Sequence, residues 1–99
     1  MKRIAAVILA SSFFAGTAIA DVRIDEAAKL QSDGKIKPFE SLNEIALEGH
    51  PGATITDTEL EDHYGKYIYQ IELRDADGQE WDVDMDATTG DILSTKQDD

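Results

Sequence analysis

Cysteine is absent from this 99-residue chain. Disulfides, thiolate nucleophiles and cysteine-ligated zinc are therefore excluded together. Positive charge is scarce: nine basic residues stand against 21 acidic ones, a formal charge of −12. A surface of that sign repels the phosphates of nucleic acid and disfavours anionic membranes, leaving cationic peptides, basic proteins and divalent cations as suitable partners. Histidine is limited to His50 and His63, which have no zinc-type spacing. Ser32, Ser41 and Ser94 sit in no nucleophile motif, so no base-activated nucleophile is legible.

The N-terminus holds the longest apolar run. Lys2 and Arg3 precede Ile4 to Phe14, which is apolar apart from Ser11 and Ser12, and Ala18-Ile19-Ala20 follows. This order of basic, apolar and small-residue regions is that of a secretory signal peptide, with cleavage expected after Ala20. The run is too short for a stable membrane anchor, which takes roughly 20 residues. The segment contains two of the basic residues and none of the acidic ones. The remaining 79 residues therefore carry seven basic and 21 acidic side chains, a formal charge of −14. That is one domain, of a size that buries roughly 60% of its unfolded surface. With no anchor left after cleavage, a periplasmic or secreted location is expected.

Residues 24 to 33 read as a short helix, with Asp25 as its cap, Ala27, Ala28 and Leu30 as apolar surface and Gly34 as its stop. A second helix starts near Pro38, which suits a first turn. Phe39, Leu42, Ile45 and Ala46 form its apolar stripe, Glu40, Asn43, Glu44 and Glu48 fall opposite, and Gly49-His50-Pro51-Gly52 ends it.

Beyond Ala53 the period changes to two. A less regular strand runs from about Thr54 to Asp62 and ends at Tyr64-Gly65. Tyr67, Tyr69, Ile71 and Leu73 alternate with Ile68, Gln70, Glu72 and Arg74; Trp81, Val83 and Met85 alternate with Glu80, Asp82, Asp84 and Asp86. Asp75-Ala76-Asp77-Gly78 and Thr88-Thr89-Gly90 read as turns, and Ile92 and Leu93 begin a last strand. Placing Asp75 opposite Gln79 sets Leu73 against Trp81, Ile71 against Val83 and Tyr69 against Met85. Every pair on that side is apolar, as a correct register requires. Placing Ala87 opposite Asp91 sets Leu93 beside Met85. The expected fold is α+β: one helix, plus the short N-terminal one, packed on one face of an antiparallel β-meander of three to four strands.

The order of these segments carries a resemblance. A helix ending in His50-Pro51-Gly52 is followed by Tyr67-Ile68-Tyr69-Gln70-Ile71-Glu72-Leu73, then Asp77-Gly78, then Val83-Asp84-Met85-Asp86-Ala87-Thr88-Thr89-Gly90-Asp91-Ile92-Leu93. This order resembles the PepSY domain family over about Ile36 to Thr95. The resemblance implies a helix-on-sheet fold, a role in restraining or binding peptidases or other envelope proteins, no catalytic residues and no cofactor. The chain then divides into a signal peptide over 1–20, a short N-terminal helical segment over 21–35 and a PepSY-like domain over 36–99.

Metal loops fit poorly. A calcium loop through Asp75, Asp77 and Gly78 needs an aspartate where Leu73 stands, and one from Asp82, Asp84 and Asp86 lacks its glycine at Ala87 and its final glutamate at Leu93. The acidic outer row of the sheet remains. In the derived register Glu72 opposes Asp82, with Asp84 and Asp86 further along, while Arg74 opposite Glu80 and Lys96 near Asp82 relieve part of the repulsion. Ile68 and Ile92 flank Asp86 on that row. The plain reading is a solvated face that keeps an exported protein soluble. The functional reading is a protein-binding face made of Ile68, Glu72, Asp82, Asp84, Asp86 and Ile92. Trp81 alternates inward and reads as core. The expected protein is an exported non-enzymatic binding module for an envelope protein or peptide, with a peptidase or a basic peptide as partner classes and strand addition at a sheet edge as a second route. The alternative is a low-affinity binder of divalent cations or cationic peptides.

Overall fold

A computed structural model describes residues 19–98. The expected signal peptide lies outside the described residues up to residue 18. The elements run β1 (Ile19–Asp21), α1 (Ile24–Ser32), α2 (Phe39–Glu48), β2 (Thr54–His63), β3 (Lys66–Arg74), β4 (Glu80–Asp86) and β5 (Ile92–Asp98). The strands form one antiparallel sheet in the order β1-β2-β3-β4-β5. The α+β class is as expected, but the sheet gains β1 at its edge. Three residues are too few to show a period of two, and β1 straddles the position where cleavage is expected. Among the described residues, no helix is long and apolar enough to cross a membrane.

The β3–β4 register is the one the apolar pairs demand: Tyr69 opposes Met85, Ile71 opposes Val83 and Leu73 opposes Trp81. The turns fix it. The Asp75 N–H bonds the Gln79 carbonyl at 2.8 Å, and Gly78 sits at φ 84°, where a Cβ is costly. Between β2 and β3, His63 opposes Lys66, so Tyr64 (φ 56°) and Gly65 (φ 87°) make a two-residue turn with both central φ values positive. A bulge near Thr56 accounts for the irregular start of β2.

The last hairpin departs from expectation. Asp84 opposes Ser94 and Asp82 opposes Lys96, as read from the sequence, but the register slips near the turn and Met85 faces Ile92 rather than Leu93. With two adjacent apolar residues, either one supplies Met85 with an apolar partner, so the pattern does not expose the bulge. Ile92 and Leu93 are 47% and 48% exposed.

On the helix side, Leu42, Ala46, Tyr69, Ile71, Leu73, Val83 and Met85 are each at most 2% exposed, and Ala27, Leu30 and Ile36 extend this core under α1 and its linker. Trp81 packs against the core half-buried; its Nε1 donates to Asp75 Oδ2 at 2.9 Å and its ring meets His50 at 5.3 Å. The N-cap of α1 is Arg23, two residues earlier than the expected Asp25, which instead lies in the first turn and favours the helix dipole there. Gln31 links the helices: its Oε1 accepts the Phe39 N–H at 2.9 Å, satisfying a donor at the start of α2 that Pro38 leaves without a side-chain cap. Asn43, expected on the solvent side, turns to the sheet and accepts the Tyr69 hydroxyl at 2.9 Å.

Candidate functional site

The outer face of the sheet follows from alternation. Because Ile71, Val83 and Met85 point to the helices, Gln70, Glu72, Asp82 and Asp84 point away. Glu72 stands between Asp57 on β2 and Asp82 on β4. Asp84 stands between Gln70 and Ser94, and Lys96 opposes Asp82. Gln70, Glu72, Asp82, Asp84, Ser94 and Lys96 line a polar depression of about 230 Å³.

The electrostatics match this crowding. Partial burial pushes the Asp84 carboxyl above its ordinary value, with Asp82 and Glu61 adding to the rise and Lys96 and His63 opposing it. Desolvation also raises Glu72, helped by Asp57, Asp82, Asp98 and Glu80. Arg74 spends its charge on Glu80 at 3.0 Å. The depression thus holds more negative charge than its neighbours compensate.

The other expected members of the face behave differently. Asp86 is committed to its turn: Oδ1 accepts the N–H groups of Thr88 at 2.9 Å and Thr89 at 3.2 Å, and Lys66 Nζ lies 4.0 Å from Oδ2. The same turn clips onto the linker between the helices. Thr88 Oγ1 donates to the Lys35 carbonyl at 3.0 Å, and the Lys37 N–H donates to the Ala87 carbonyl at 2.8 Å. The Asp-x-x-Thr-Gly run is therefore a structural clip. Ile68 does oppose Asp86 on the outer row, but it is only 8% exposed, so it offers little contact surface. Ile92 is exposed but opposes Met85 at the bulge and does not flank Asp86. The structure thus brings together Glu72, Asp82 and Asp84 out of the six.

A second acidic group was not read from the sequence. Asp21 on β1 and Glu59 and Glu61 on β2 bring carboxylate oxygens within 4.8 Å of one another. Asp57, Glu59 and Glu61, spaced by two in a strand, were the available signal; Asp21 was hidden because β1 was. The Asp21 carboxylate is the main influence raising the Glu59 carboxyl. These three oxygens are of the kind hard cations take, but fewer than the six to eight that calcium gathers.

The profile of a known family, described as "Peptidase propeptide and YPEB domain", matches residues 38–96. The chain belongs to the PepSY family. The match spans α2 and β2 to β5, so the PepSY core is the helix, the meander and the clip. β1 and α1 lie outside it. No curated protein and no solved structure matches the chain. The domain is a peptidase-propeptide-like module, and the motif residues that carried the resemblance build its turns and core.

Proposed function

We propose that this PepSY chain is an exported, non-enzymatic binding module of the periplasm or secreted fraction. It engages an envelope protein or peptide, and restrains or modulates it as a propeptide would; a peptidase is one such partner class. The observation that carries the reading is the depression between Glu72, Asp82 and Asp84, where three carboxylates share one lining cation, Lys96. Directly opposed like charges cost a sheet stability, and a basic partner relieves that repulsion.

The test begins with affinity capture from an envelope extract, followed by titration of the purified partner against wild type and Asp84→Asn at two salt concentrations. Docking on this face predicts weaker binding by the variant and weaker wild-type binding at the higher salt, because exposed charges are screened beyond about 10 Å at 0.1 M. Salt-insensitive binding that ignores the substitution removes the face from the mechanism. A second reading, low-affinity binding of divalent cations, is favoured by the approach of Asp21, Glu59 and Glu61. It predicts a rise in melting temperature on adding calcium that Glu59→Gln abolishes.

A further inference from the structure

Three features converge along one edge of the sheet. The first is unpaired backbone. β1 covers β2 only at Glu61, Asp62 and His63, and the Val22 N–H adds one bond to the Leu60 carbonyl at 2.9 Å. Alternation aims the N–H and C=O of Thr58 the same way as that carbonyl, away from β3. No described strand pairs with them on that side. The second is an apolar groove of about 380 Å³ on the helix side of this edge. Val22, Ile24, Ala28, Phe39, Leu60 and Tyr69 line it, and Ile24 is 90% exposed. Thr58, which opposes the inward Ile71, also lines it and is exposed, so the helices stop short of this border.

The third feature is charge on the opposite side of the same edge. Glu59 opposes Gln70 and Glu61 opposes Ile68, both on the outer row, and Asp21 opposes Glu61. Their carboxylates cluster, with Asp57 two positions along. His63 Nε2 lies 2.8 Å from Glu61 Oε1, and among the described residues no lysine or arginine forms a salt bridge with this trio.

We propose that this edge is the docking strip for an extended peptide whose apolar and basic residues alternate. The inference rests on the reading of the chain as a polypeptide-binding module and names the chemistry of what it binds. A strand added to β2 takes main-chain hydrogen bonds from Thr58 and sends successive side chains to opposite faces. One set enters the apolar groove; the other reaches the carboxylates, where Lys or Arg makes charge-assisted bonds. A helical ligand presents one face at a time and does not straddle the edge. A metal ion uses the carboxylates and leaves the groove empty. Cleavage after Ala20 adds an α-ammonium group at Asp21, which cancels one of the three charges and leaves the strip acidic. It also removes Ile19 and Ala20 and so exposes more of the β2 edge.

The test uses the protein as purified after export and a fluorescein-labelled peptide of seven residues, alternating Val and Lys. Its comparisons are the same composition in two blocks and a Val/Glu alternation. The alternating basic peptide should bind at least about tenfold more tightly than the blocked one, and the acidic one should not bind. Ala28→Trp, a substitution at an exposed helical position, should fill the groove and abolish binding. Ile24→Ser should weaken it severalfold, and Glu59→Gln should weaken it and flatten its salt dependence. Circular dichroism confirms that each variant is folded. Equal binding of alternating and blocked peptides, or binding untouched by both Ala28→Trp and Ile24→Ser, overturns the inference. If the captured envelope partner still binds through Asp84 while the peptide does not, the strip is wrong and the broader reading stands. If neither binds, both fall.

Discussion

The two faces of this sheet are made by the same strands and have opposite physical lives. On β3 and β4, Tyr69, Ile71, Leu73, Val83 and Met85 are sealed under the helices, while Gln70, Glu72, Asp82 and Asp84, each one residue away, crowd charge into a polar depression. The inner face is constrained by volume, since a close-packed interior leaves few choices. The outer face is constrained only by the cost of its own repulsion. The difference teaches where function can be written in so small a domain: the core is fully occupied with holding it together, and the outer row and the β2 edge are free to carry specificity.

The largest expected effect lies on the inner face. Ile71→Ala should cost about 2–5 kcal/mol by chemical denaturation, a large share of a small domain's stability. Outward position alone would make Ile68 nearly neutral, but its 8% exposure predicts a loss of about 2 kcal/mol for Ile68→Ala. A loss at Ile68 as large as at Ile71 would break the contrast between the faces.

Next comes the clip that aligns them. Gly90 sits at φ 84°, and a Cβ there would lie 3.0 Å from Ile45 Cδ1 and 3.2 Å from Lys37 Cδ. Gly78 has the same φ but open space around it. Gly90→Ala should therefore cost about 2–3 kcal/mol and Gly78→Ala about 1 kcal/mol, the backbone penalty alone. Equal losses would show that the clip does not press on α2.

The acidity dependence should have two limbs. Asp84 and Glu72 have raised carboxyl pKa values, so their charged forms are penalised in the fold. Stability should rise as pH falls from neutral through their folded values, and level off below their unfolded ones. Asp75 is lowered, chiefly by the Trp81 bond and then the Gln79 N–H, so the stability it adds is present above its unfolded value and is lost as pH falls through its folded one. Melting temperatures across pH should thus pass through a maximum in mild acid, and a monotonic fall from neutral would contradict the crowding. The smallest effect is Asp84→Asn, which should leave the fold intact or stabilise it by about 0.3 kcal/mol at neutral pH and flatten the first limb.

How much of this could be read from residues alone depended on whether a wrong choice would have shown. A slipped β3–β4 register would have put Glu72 or Asp82 into the core, so the alternation of Ile71 and Val83 declared itself. The β4–β5 slip hid because Ile92 and Leu93 serve Met85 equally well. β1 is too short to have a pattern, and with it the cluster at Asp21, Glu59 and Glu61 stayed out of sight. Asn43 looked like a surface residue because its amide serves a single buried hydroxyl, that of Tyr69. Of the candidate face, Glu72, Asp82 and Asp84 were legible from register. The roles of Asp86 and Ile68 were not, since they depend on a turn's hydrogen bonds and on packing around one side chain.

Trp81 is the chain's single tryptophan, and it touches two loops at once: its indole N–H holds Asp75 in one turn, and its ring leans on His50 at the end of α2. The domain therefore carries its own optical reporter. Ultraviolet emission follows one indole, so any event that loosens the Asp75 turn or swings His50 away registers as a change in wavelength or intensity without a label. Stopped-flow mixing followed by this emission times when the far end of the sheet closes relative to the secondary structure.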